Sequence, residues 1–103
     1  MNNFLSPLEL SEQLMTRGWW DEARQAISRP DVAPANRTLQ LAAIEARQAC
    51  VEWITAHAGQ AVTTRDLLRQ FDRYTVYWVL YRYNGEGVSE WQIKSAEVNG
   101  QTD

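Results

Sequence analysis

The sequence of 103 residues is 45% hydrophobic and 22% charged, which fits one folded domain and excludes both a second core and a disordered chain. Ten Lys and Arg against thirteen Asp and Glu give a net charge of −3, so no global positive field draws in nucleic acid or an anionic membrane, and any such contact must be local. Eight of the eleven aromatic residues follow position 52, which weights the second half of the chain towards recognition. In chain order, the first element is a helix over residues 7 to 17. Ser6 is its N-cap, Pro7 its first residue and Glu9 the return partner of a capping box, with Leu5 and Leu10 in staple positions and Gly18 as the stop. The segment WWDEARQAIS predicts a second helix, with Ala23, Ala26 and Ile27 inward and Asp21 and Glu22 favourably near its start. Pro30 and Pro34 close it, and RPDVAP is a linker too short to separate domains.

A third, long helix is predicted over residues 36 to 57, with Leu39, Ala42, Ala43, Ala46, Cys50, Trp53 and Ile54 on one stripe and Gly59 as its stop. VTTRDLLRQF predicts a fourth, opened by the cap-like pair Thr63 and Asp66, with Leu67, Leu68 and Phe71 at helical spacing. The stretch from Asp72 to Lys94 admits two readings. As a strand it would place Tyr74, Val76, Trp78 and Leu80 on one face, with Asn84 and Gly85 as a hairpin turn, and both faces would be apolar. As a helix it gives an inward stripe of Val76, Val79, Leu80 and Tyr83, with Gly87 just beyond its end and VSEWQIK continuing as a strand; the helix is the preferred reading. The tail from Ser95 is polar and expected to fray.

This order of elements resembles the helix-turn-helix core of winged-helix transcription regulators over residues 44 to 94. Thr63, Asp66 and Leu67 match the second-helix pattern of that family; Thr75, Val76, Leu80 and Tyr83 match its recognition helix; Gly87 and Val88 match the glycine and strand that lead into the wing. The turn of Asp72, Arg73 and Tyr74 is shorter than is usual there. LMTRGWWDEARQAI and EARQACVEW are also similar to regulators of the PerC type. The resemblance implies a mainly α fold with a small β-hairpin. A winged helix-turn-helix over residues 35 to 94 would follow an N-terminal helical pair over residues 1 to 34, with a flexible tail over 95 to 103, all in one domain.

Reading sequence in the major groove needs outward donors and acceptors flanked by cations on phosphates. The outward residues of the recognition helix would be Thr75, Tyr77, Trp78, Tyr81 and Arg82. Arg82 could pair with guanine and Thr75 with a base edge, Arg65, Arg69 and Arg73 would lie towards phosphates, and Lys94 would tip the wing. Between residues 65 and 82, four Arg against Asp66 and Asp72 leave two surplus positive charges in an acidic protein. The implied function is a small regulator that binds double-stranded DNA. If Tyr77, Trp78 and Tyr81 all point outward, their area calls for a cover, either the N-terminal helices or a protein partner. The alternative function is therefore a non-enzymatic helical adaptor or inhibitor, of phage or mobile-element type, that binds a protein through this aromatic cluster. Trp19 and Trp20, adjacent at a helix start, cannot both face one core. Leu10, Leu14, Met15 and the alanine-rich face of the third helix offer a surface for a homodimer.

Enzymatic readings find little support. His57 sits at a helix end with no motif to orient it as a base, and Cys50 lies on an apolar stripe with no partner to lower its pKa. NGEG lacks the Lys and Ser or Thr of a phosphate loop, and metal-ligand spacing is missing, so no enzyme activity, metal or cofactor is expected. A single cysteine allows no internal disulfide. MNNFLSPLELSEQL lacks the basic start and apolar run of a signal peptide, and no stretch approaches the roughly 20 apolar residues of a membrane span. A soluble, cytoplasmic protein that does not engage membranes is expected.

Overall fold

The structure is a computed structural model that describes residues 5 to 57, 60 and 62 to 88. Its elements are α1 (Pro7–Thr16), α2 (Trp20–Ile27), α3 (Pro34–Ala56), α4 (Thr64–Gln70) and α5 (Arg73–Arg82), and no strand occurs among the described residues. The expected small β-hairpin, and with it the winged form of the fold, is therefore corrected to an all-helical architecture of the described residues. After α5 the chain turns back on the body instead of extending into a hairpin. The Asn84 amide donates to the Thr16 carbonyl at 2.8 Å, the Thr55 hydroxyl donates to the Gly87 carbonyl at 2.7 Å, and Val88 is buried in the core. Lys94 and the remainder of the expected wing lie outside the described residues.

Local chemistry accounts for the helix starts. Ser6 and Glu9 exchange the two bonds of a capping box, at 3.1 Å and 3.0 Å, and Pro7 follows the cap. Gly18, at φ 79°, takes the left-handed conformation that lets the chain reverse from α1 into α2, against which α1 packs. Pro34, expected to close the preceding helix, instead opens α3, where its missing N–H leaves no helical bond unmade. Arg37 locks the α2–α3 connection: its guanidinium donates to the carbonyls of Ile27 at 3.1 Å, Arg29 at 2.8 Å and Val32 at 3.0 Å, a cation set where the end of α2 is negative. Thr63 and Asp66 cap α4 reciprocally at 3.0 Å and 3.2 Å. Asp72 caps α5 by accepting from the Thr75 amide at 3.1 Å and also accepts from the Thr75 hydroxyl at 2.5 Å.

The core is built from Met15, Ala23, Ile27, Ile44, Cys50, Val51, Ile54, Leu67, Val76, Val79 and Leu80. α3 is the spine, packed by α2 on one stretch and α5 on another. Its buried stripe is Ile44, Cys50, Val51 and Ile54, whereas Leu39, expected inward, is 71% exposed and Ala42 is exposed beside it. Met15, expected to line a pairing surface, is fully buried.

Candidate nucleic-acid interface

α5 forms as a helix because Asp72 satisfies its first turn and Val76, Val79 and Leu80 fall on one side, where they meet the core. The opposite side carries Arg73, Tyr74, Tyr77 and Tyr81, with Arg82 at the last turn. Tyr74 is 85% exposed, Tyr81 59% and Tyr77 38%. Tyr77 and Tyr81, one turn apart, stack with ring centroids 5.9 Å apart and planes 22° from parallel. Arg65 and Arg69 stand exposed on α4, where Arg69 reaches Asp66 at 3.7 Å. A surface ion pair this long contributes little and leaves the guanidinium available. No ion pair or hydrogen bond joins the side chain of Arg73 or Arg82 to another described residue.

Two of the expected outward residues are not on this face. Thr75 is buried because its hydroxyl and amide are both committed to Asp72. Trp78 is buried beneath α1: its indole N–H donates to a Glu12 carboxylate oxygen at 3.3 Å, and the Arg47 guanidinium lies over its ring, 4.5 Å from the centroid. Glu12 also accepts from Arg47 at 2.8 Å and Gln40 at 2.9 Å. Burial raises the Glu12 pKa, but the bonds from Arg47 and Gln40 and the Arg47 charge outweigh it and hold the carboxyl below its ordinary range. Trp20 completes the support, stacked on Tyr83 at 5.9 Å and tilted against Trp78 at 6.5 Å. The protein's own helices therefore cover Trp78, while Tyr77 and Tyr81 stay outside. Tyr74 joins them, and its signal in the sequence was the spacing of Tyr74, Tyr77 and Tyr81 along one helical face.

The remaining chemical candidates take structural places. Cys50 is buried, and burial, with the negative charge of Asp72, pushes its thiol up to about 12. His57 ends α3, its Nδ1 lying 2.7 Å from the Trp53 carbonyl oxygen and its ring stacked on Trp53 at 3.9 Å. Trp19 is 48% exposed while Trp20 is half-buried, so the adjacent pair does divide between surface and core. Among the described residues, no group of three His, Cys, Asp or Glu side chains is placed to hold a metal ion, and no helix is long and apolar enough to cross a membrane. Comparison with protein-family models, with curated proteins and with solved structures finds no match to this chain.

Proposed function

We propose that this protein binds duplex DNA by presenting the outer face of α5 to the major groove, with the α4 arginines on the flanking phosphates, and so acts as a small transcriptional regulator. The observation that carries this reading is the segregation of charge. In a chain of net charge −3, Arg65, Arg69, Arg73 and Arg82 are exposed on two consecutive helices joined by Phe71 and Asp72 alone. α5 is ten residues long, about 15 Å, and a major groove about 12 Å wide admits one such helix. Arg73, Tyr74 and Tyr77 project from its first half, where a helix entering the groove meets base edges. Pairing of two copies along the exposed Leu39 stretch of α3 would supply a second α5 and a second half-site.

The test is binding to random-sequence duplex DNA across a salt series. Phosphate contacts by three or four arginines give a log–log slope of about −3 to −4, and Arg69→Ala reduces its magnitude by about 1. Absence of binding at the lowest salt rules the reading out. A second reading, capture of a protein partner, is favoured by the exposed tyrosines, since Tyr is among the residues that concentrate binding energy at interfaces. It is distinguished by Tyr77→Ala with Tyr81→Ala, which abolishes partner capture while the arginine variants leave it weakly affected.

A further inference from the structure

A cleft of about 970 Å³, lined by none of Tyr74, Tyr77 and Tyr81, opens between the α1–α2 turn, the end of α3 and the chain after α5. Its chemistry is uneven. Among the described residues, Trp19, Trp20 and Tyr83 share it with Glu52 and Glu86, and Arg17 is the one cationic residue of the lining. From this lining we infer a binding site for a small organic cation, an ammonium or guanidinium on an aliphatic body, independent of the α5 interface.

Two features support the assignment. The first is that the cleft already displays the contact it would make with a ligand, because the Arg17 guanidinium carbon lies 5.5 Å from the centroid of the Trp19 ring. A cation over an aromatic face gains from the ring quadrupole, most of all on Trp, and a nearby carboxylate adds direct charge attraction. Among the described lining residues, Arg17 supplies one positive charge and Glu52 and Glu86 two negative ones, a negative surplus that a cation neutralises.

The second is that the walls are fixed before any ligand arrives. Trp20 is stacked on Tyr83 with planes 8° from parallel, and the Tyr83 hydroxyl donates to the Glu86 carbonyl. Thr55 holds the Gly87 carbonyl, and Asn84 is bonded to Thr16. Gly85 lets the chain pass so close to the α1–α2 turn that a Cβ there would stand 2.5 Å from the Arg17 carbonyl oxygen. A rigid aromatic wall loses little conformational freedom on binding, which favours a small ligand.

The experiment is a titration of the whole 15N-labelled protein with spermidine and, separately, arginine methyl ester, to about 10 mM, at constant ionic strength set with sodium chloride. Saturable shifts are expected at the Trp19 and Trp20 indole N–H signals and at the amides of residues 84 to 87, with sodium glutamate producing none. Glu86→Gln and Glu52→Gln each weaken binding about threefold, and Arg17→Gln strengthens it by a similar factor because it removes the competing cation. All three side chains are exposed, so the variants fold. The assignment is overturned by an absence of saturable shifts, by equal shifts from sodium chloride alone, or by an affinity that none of the three variants changes.

Discussion

Glu12 of α1 and Trp78 of α5 lie 66 positions apart in the chain, yet the indole N–H of one donates to the carboxylate of the other at 3.3 Å. The second carboxylate oxygen takes Arg47 of α3 at 2.8 Å, so one side chain ties three helices and places α5 against the body. Glu12→Ala strands the Arg47 guanidinium and the Trp78 indole, at a cost of about 1–2 kcal/mol once the partial exposure of the carboxylate is allowed for. The pH dependence has a definite sign. The folded-state pKa of Glu12 is lowered from its ordinary 4.5, so its contribution is complete above that value and is lost as pH falls through the lower folded value. Urea unfolding at pH 7 and at successively lower pH checks this: the stability gap between the native protein and Glu12→Ala narrows as pH falls below about 4.5.

Asp72 governs α5 itself. It is the only residue between Phe71 and the helix, and it accepts both the amide and the hydroxyl of Thr75. Bonding to the Thr75 hydroxyl is the largest influence on its carboxyl and lowers its pKa. Asp72→Ala is expected to destabilise the protein by about 1–2 kcal/mol, whereas Asp72→Asn, which retains an acceptor, costs less. Chemical denaturation of both variants settles the order, and equal losses would show that capping is not what Asp72 contributes.

Capping was legible in the sequence because it is local. Ser6 with Glu9 and Thr63 with Asp66 are each three residues apart, and no distant element decides whether they bond. Gly18 was legible for the same reason. The register of α3 was legible only in part: Cys50 and Ile54 are buried as expected, but the first half of the expected stripe is not. Its alanines leave two overlapping stripes at helical spacing, and periodicity does not say which arc a neighbouring helix will cover. Packing by α2 and α5 selects Ile44, Cys50, Val51 and Ile54 and leaves Leu39 in solvent. Trp78 failed for a related reason: its place on α5 suits an outward face, and only Glu12 and Arg47, from two other helices, turn it into a buried residue. The strand expected after Gly87 lies, apart from Val88, outside the described residues. At the α5 face, Tyr77, Tyr81 and Arg82 are exposed as helical spacing predicts, whereas Arg73, expected in the turn, is the first residue of the helix itself.

Cys50 offers a direct probe of core integrity. With its thiol pushed up to about 12, only about one molecule in ten thousand would be thiolate at pH 8, and the sulfur is buried as well. An aromatic disulfide reagent at pH 8 is expected to modify the native protein at least about a hundredfold more slowly than the urea-unfolded chain. Glu12→Ala and Asp72→Ala should both raise the native rate, since each makes opening of the core easier. Rapid modification of the native protein would place Cys50 at the surface and contradict the α3 register.

Leu39 bears on whether two copies act together. It is 71% exposed on α3, with Ala35 and Ala42 exposed on adjoining turns, and it contributes nothing to the core. If copies pair along this stretch, sedimentation equilibrium at high micromolar concentration detects a dimer, and Leu39→Asp returns it to monomer without changing helix content or stability by more than about 0.5 kcal/mol. A monomer at all concentrations removes the pairing, and with it the second α5. DNA binding would then rest on one helix and one half-site, so the salt slope stays near that of the exposed arginines of a single chain and affinity falls towards the non-specific range.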